Sequence, residues 1–154
     1  MSDPLVSPVS TPIGGIAPLK DSMSLALRLA ELAFERKAIN LKILDVRTVV
    51  DYADYVIVCS CKSDRQAQSI AEHVVTTVKH DLGLRPLGVE GQDDGQWVLV
   101  DYGSVVMHVF NGNRRDLYDL DGLFADAERV PVTVPEWAGT ESEDEVDDYG
   151  YSVL

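Results

Sequence analysis

From Ser24 to Lys37 the apolar residues Leu25, Leu29, Leu32 and Ala33 recur at helical spacing, which predicts an amphipathic helix over 24–37. Leu41-Lys42-Ile43-Leu44-Asp45-Val46 then reads as a strand. Asp54-Tyr55-Val56-Ile57-Val58-Cys59-Ser60-Cys61 is almost continuously apolar and β-branched, the look of a strand buried on both faces. Ser63-Asp64-Arg65-Gln66 opens a second helix. Ser63 can accept from the amide three residues on, while Gln66 reaches back to the Ser63 amide. Ala67, Ile70, Ala71, Val74, Val78 and Leu82 carry that helix to Gly83, a C-terminal stop. Leu84 to Val89 completes a strand–helix–strand unit with an expected right-handed crossover. Pro86 and Gly88 weaken this third strand and place it near a sheet edge.

The stretch GVEGQDDGQWVLVDYGSVVMHVF, residues 88–110, ends in a β-hairpin with apolar residues on both faces of both strands. With Tyr102-Gly103 as the loop, Asp101 faces Ser104, Val100 faces Val105, Leu99 faces Val106, Val98 faces Met107 and Trp97 faces His108. One face then carries Val98, Val100, Val105 and Met107, a core face. The other carries Trp97, Leu99, Asp101, Val106 and His108. A buried aspartate without a partner costs several kcal/mol, so the Asp101 end of this face meets water or a partner. Trp97 is either core beneath a covering helix or an anchor for binding. The pattern alone leaves both open. After Phe110 come short helical turns at 114–120 and 122–127.

The two ends of the chain break the pattern. Residues 1–20 hold Pro4, Pro8, Pro12, Pro18 and Gly14-Gly15 with no sustained period, as expected of a disordered arm. Residues 130–154 carry seven acids (Glu136, Glu141, Glu143, Asp144, Glu145, Asp147 and Asp148) and no Lys or Arg, as expected of an acidic, solvated tail. The expected division is therefore an arm over 1–20, one α/β domain over 21–129 and a tail over 130–154. At 154 residues the chain is long enough for one well-cored domain and short for two.

Charge changes the picture more than size does. The formal net charge is −13, about half of it in the tail. Such a surface repels phosphate backbones and argues against broad nucleic-acid binding, while suiting a basic protein partner. No apolar run reaches the ~20 residues that span a bilayer, and no secretory leader is evident, so no membrane association is expected. Cys59 and Cys61, the only cysteines, are two apart on one strand and poorly placed for a disulfide. They suggest a reduced, cytoplasmic setting.

Chemistry is sparse. His73 and His80 lie nearly two turns apart on one helix, about 10 Å by helical rise, too far for one metal ion without other ligands. Neither a nucleophile elbow nor a phosphate-binding glycine loop is present. Asp45, Asp51 and Asp54 at strand ends are the one enzymatic suggestion, since two-metal nucleotidyl transfer needs paired acids. Gly103-Ser104 is not followed by the Asp-x-Asp pair that such a site uses, and Asp51 and Asp54 have turn-capping spacing. A nucleotidyltransferase-like, metal-dependent enzyme stands as the alternative reading.

Six motifs occur together: Asp54-Tyr55-Val56-Ile57, Ser63-Asp64-Arg65-Gln66, Gly88-Val89-Glu90-Gly91, Trp97-Val98-Leu99-Val100-Asp101-Tyr102-Gly103, Val106-Met107-His108-Val109-Phe110 and Arg115-Asp116-Leu117-Tyr118-Asp119-Leu120. In that order and spacing they resemble the ribosomal silencing factor (Iojap-like) family over roughly residues 20 to 126. The resemblance implies a mixed five-stranded sheet flanked by helices, similar to nucleotidyltransferase folds without their catalytic centre. It implies binding to the large ribosomal subunit through the ribosomal protein numbered fourteen, steric blocking of small-subunit joining, and lowered translation when nutrients are scarce. No cofactor and no catalysis are expected. On the resemblance, Trp97 matches the contact tryptophan, Tyr102 takes the place of an apolar contact residue, and Glu90 and Asp101 match acids near that surface. Leu99 and His108 are secondary candidates. Ser104 and Phe124 depart from the family pattern, where Asp and Trp are usual. Self-association is implied as well, and an exposed hairpin face or sheet edge suits it.

Overall fold

The computed structural model describes residues 21–112 and 114–139. The arm expected at 1–20 lies outside the described residues, as does the acidic stretch beyond 139. Eleven elements follow one another among those described: α1 (Ser22–Glu35), β1 (Ile39–Asp45), β2 (Tyr55–Cys61), α2 (Asp64–Leu82), β3 (Gly88–Glu90), β4 (Trp97–Asp101), β5 (Val105–Asn111), α3 (Arg114–Tyr118), α4 (Leu120–Leu123), β6 (Glu128–Val130) and α5 (Glu136–Gly139).

The strands form one mixed sheet in the order β3-β4-β5-β2-β1-β6, with only β2 and β5 running parallel as neighbours. Six strands replace the expected five. The addition, β6, is a three-residue Glu-Arg-Val pairing against the end of β1, too short to show alternation in sequence. The strand–helix–strand unit is present, but β3 does not pair with β2. It crosses two strands to the far edge and pairs antiparallel with β4, where its three residues form a short edge strand.

The two long helices, α1 and α2, cover one face. Asp21 caps α1 by accepting from the Met23 amide, and Leu25, Leu29, Leu32 and Ala33 are buried as the spacing predicts. Ser63 caps α2 by accepting from the Gln66 amide at 3.0 Å. The return half of the expected capping box differs. Gln66 accepts from Lys62 N and donates to the carbonyls of Arg36 and Lys37, so it ties the start of α2 to the exit of α1. Ala67, Ile70, Ala71, Val74 and Val78 complete a core with Ile43, Ile57, Cys59, Val98, Val100, Met107 and Val109. Every residue of β2 is buried, as its unbroken apolar run requires. Cys59 and Cys61 are free and buried on this helix-covered side, and burial pushes their thiols up to about 12 and about 11.

The opposite face has a smaller core: Leu44, Val46, Ala53, Val56, Val58, Val106, Phe110, Leu120 and Phe124. Its cover is the 46–54 connection and the short helices α3 and α4, with no long helix among the described residues. Beyond β6 the chain continues to α5, where Trp137 meets Phe34 edge-on at 6.4 Å and Lys37 lies 4.5 Å from the Trp137 ring centre. Residues 131–139, at the head of the expected tail, thus place an aromatic side chain against α1. Among the described residues no helix is long and apolar enough to cross a membrane.

Candidate functional site

The site begins with the turn between β4 and β5. The observed partners are Asp101 with Val106, Val100 with Met107, Leu99 with His108, Val98 with Val109 and Trp97 with Phe110. The expected register was two residues away, because the loop is centred on Gly103-Ser104 and not on Tyr102-Gly103. The Tyr102 amide donates to the Val105 carbonyl at 2.9 Å, and Gly103 alone of the two central residues has positive φ (86°). The Ser104 amide donates back to the Tyr102 carbonyl at 3.1 Å, a γ-turn centred on Gly103, whose positive φ favours glycine. A slip of two preserves parity, so each side chain stays on the face expected of it. What changes is the company: Trp97 stands opposite Phe110, not His108.

Following register across the sheet, the second face carries Glu90, Leu99, His108 and Val58 in one row, and Asp101, Val106, Val56 and Leu44 in the next. Trp97, Phe110 and Ser60 form a third. The connection from β3 reaches Trp97 through Gly91 at φ 81°, where an added Cβ would overlap the Trp97 carbonyl oxygen. Only glycine lets these strands approach so closely there.

Trp97 is partly buried in an aromatic cluster. Phe110 stacks on it at 5.1 Å, and Tyr118 of α3 lies 4.2 Å from it, centre to centre. Its indole N–H donates to His108 Nδ1 at 3.0 Å. An indole nitrogen is only a donor, so that histidine nitrogen carries no proton and the ring is neutral, with its proton on Nε2. Burial pushes His108 down to about 4, against an upward pull from Asp101. His108 is 8% exposed, which makes it a support within the face and not a contact side chain.

The other predicted residues separate. Leu99 is partly buried beside Trp97 in the second core. Glu90 is exposed on the same face, directly across from Leu99. Asp101 is partly buried, and its Oδ1 accepts from the Gly103 amide at 2.8 Å, so the carboxylate also holds the turn. Tyr102 is not with this group. It packs against the helix-covered core, its hydroxyl is buried without a partner among the described residues, and burial pushes it up to about 12. Parity explains the separation: Tyr102 continues the Val98–Val100 side of the strand.

Two further residues complete the patch, Leu117 at 70% and Tyr118 at 50% exposure. They lie in the Arg115–Leu120 motif, and the apolar Leu-Tyr pair between Asp116 and Asp119 was the available signal. What places them is Arg115, itself buried. Its guanidinium donates to the Asn40 carbonyl (2.7 Å), to Ser60 Oγ (3.0 Å) and in bidentate fashion to Asp121 (2.9 and 3.2 Å). A break in the β1–β2 register and the left-handed backbone of Asn40 (φ 52°) accompany that carbonyl contact. Lys42 adds a 2.8 Å ion pair to Asp121. Burial alone would raise the Asp121 carboxyl, but Arg115 and Lys42 together hold it at about 2.

The acids of the enzymatic alternative are engaged separately. Asp45 forms a bidentate pair with Arg47, which lowers its carboxyl. Asp54 accepts from the Ser22 hydroxyl at 2.8 Å, and Asp51 is exposed in the connection. His73 and His80 meet Glu35 and Asp81 respectively. Among the described residues no group of three or more His, Cys, Asp or Glu side chains is placed to hold a metal ion. The site is thus an aromatic and aliphatic surface with acids at its margin.

Comparison with known proteins bears on this geometry. The family model "Ribosomal silencing factor during starvation" matches residues 19–150. A Bacillus subtilis relative, "Ribosomal silencing factor RsfS", is 36% identical over 102 residues, covering 66% of this chain and 86% of that protein. The Haemophilus influenzae protein of the same name is 30% identical over 103 residues, 67% of this chain and 100% of that protein. A crystal structure of a Chromobacterium violaceum protein superposes with a TM-score of 0.66 at 28% identity, covering 78% of this chain and 97% of that one.

Proposed function

This chain belongs to the ribosomal silencing factor family, and from that membership we propose that it binds the large ribosomal subunit through the ribosomal protein numbered fourteen. The bound protein occupies the surface that meets the small subunit, so it blocks subunit joining and lowers translation under nutrient limitation. The action is steric and takes place on ribosomes in the cytoplasm. It uses no cofactor and makes or breaks no covalent bond.

The observation that supports this reading best is the half-covered Trp97 cluster. Trp97 and Tyr118 offer aromatic area at the sheet's second face, Leu99 and Leu117 extend it, and Glu90 and Asp101 lie on the same side. Aromatic anchors ringed by polar groups are where binding energy concentrates. Glu90 and Asp101 pair with basic side chains of the ribosomal protein in this reading. Tyr102, on the other face, contributes through the turn backbone. Self-association belongs to the same proposal, through the exposed apolar side chains of α3 and α4.

The test is subunit reassociation on a density gradient with wild-type and Trp97→Ala protein. Trp97→Ala is expected to stay folded and to lose about 2–4 kcal/mol of large-subunit binding, the range for a truncated anchor. A folded variant that blocks joining as well as wild type does removes Trp97 from the site.

A further inference from the structure

Three neighbours act on the Trp97 indole, and one of them has a direction. Phe110 stacks at 5.1 Å with 25° between planes, and Tyr118 lies at 4.2 Å with 41°. Such contacts tolerate sliding and a half-turn of the ring, since they depend on overlap and offset and not on which edge carries the nitrogen. The 3.0 Å bond from Trp97 Nε1 to His108 Nδ1 does not tolerate it, because a donor must meet its acceptor within a limited angle. His108 sits one row along on β5, opposite Leu99, and is 8% exposed. The acceptor is therefore set by core packing, independently of any partner.

We infer that His108 is a positioning residue: it selects the one orientation of the Trp97 ring that the partner meets, without touching the partner itself. The inference rests on the reading of Trp97 as the anchor. An indole held in its bound orientation beforehand avoids an ordering cost that would weaken docking several-fold. The bond requires a neutral imidazole with a bare Nδ1, the form that the apolar surroundings favour. It also accounts for a histidine inside an otherwise apolar run, Val105-Val106-Met107-His108-Val109-Phe110.

The experiment uses the full chain carrying Trp137→Phe, which leaves Trp97 as the sole tryptophan. His108→Leu keeps the shape and removes the acceptor, whereas His108→Asn restores an acceptor at the same distance along the side chain. In His108→Leu the Trp97 indole N–H resonance is expected to move upfield and to exchange with water at least about ten-fold faster. Binding to purified large ribosomal subunits should weaken roughly ten-fold, a change of about 1.4 kcal/mol. His108→Asn should recover most of both. If His108→Leu fails to fold, His108→Phe, a ring without an acceptor nitrogen, takes its place with the same expected losses. A folded variant without the acceptor that binds as wild type does, while Trp97→Ala binds weakly, overturns the positioning role alone. Wild-type binding by Trp97→Ala overturns the anchor and, with it, the role of His108.

Discussion

The two faces of the sheet are covered by different means. On the first, α1 and α2 lay continuous apolar stripes on Ile57, Cys59, Val100, Met107 and Val109, and nearly every participating side chain is buried. On the second, α3 and α4 are only five and four residues long, too short to be stable as helices by themselves. They are fastened by a polar clamp, Arg115 with Asp121, Ser60 and the Asn40 carbonyl, and the cover stops at Trp97 and Tyr118. Apolar burial closes one face completely because it is cheap to extend residue by residue. A directional clamp holds a short cover in one place and leaves the neighbouring surface open. That difference leaves Leu117 and Tyr118 exposed beside Trp97 on the second side of the sheet.

The comparison breaks most visibly on the first face. Leu29 is fully buried between α1 and the sheet, so Leu29→Ala is expected to destabilise by about 3–4 kcal/mol, as for other leucine truncations in tight cores. Urea denaturation measures it. The Trp97 indole N–H resonance should stay where it is in the folded variant, because the indole lies on the other side of the sheet. On the second face Arg115→Met removes the clamp and leaves Asp121 with Lys42 alone. Breaking a buried pair costs ~3–5 kcal/mol, and the 32% exposure of the Asp121 side chain brings the expected loss nearer 2 kcal/mol. Unlike Leu29→Ala, this variant should also shift the Trp97 resonance, since Tyr118 loses its footing. Equal responses at Trp97 in the two variants would mean that the faces are not independent.

The faces also differ in how well the sequence foretells them. Helix spacing and β-branched runs locate α1, α2 and β2 to within about two residues, since each buries a repeating pattern. Faces of β4 and β5 follow from parity, so the sequence alone places Trp97, Leu99 and Asp101 on one face. Their partners do not follow, because the register depends on which of Tyr102, Gly103 and Ser104 takes positive φ. Tyr102 departs from the turn position expected of it, because it continues the strand's core side. The Arg115 clamp joins residues 40, 60, 115 and 121, and no local pattern links positions that far apart. Tyr118 therefore joined the site only through the fold. Trp137 shows the opposite failure: an acidic composition concealed an aromatic residue that packs on Phe34.

Acid titration separates the two polar elements of the second face. His108 titrates at about 4 in the folded protein, below its ordinary value of 6.5, so folding favours the neutral ring. Its contribution is complete above about 6.5 and is lost as the pH falls from there towards 4, because the unfolded chain takes up the proton first. Asp121 is held at about 2, below its ordinary 3.8, so its contribution persists to about pH 4 and disappears only below that. Between pH 6.5 and 4.5 the stabilising contribution of Asp121 is thus intact while that of His108 declines, although the bond from Trp97 to His108 persists in the folded protein. Stability at pH 5.5 is expected to be lower than at pH 7.5 by roughly 1 kcal/mol from His108, with the greater part of that difference absent in His108→Leu. Urea midpoints at the two pH values measure it in both proteins. An unchanged pH dependence in His108→Leu would show that the histidine is not held neutral by the face it supports.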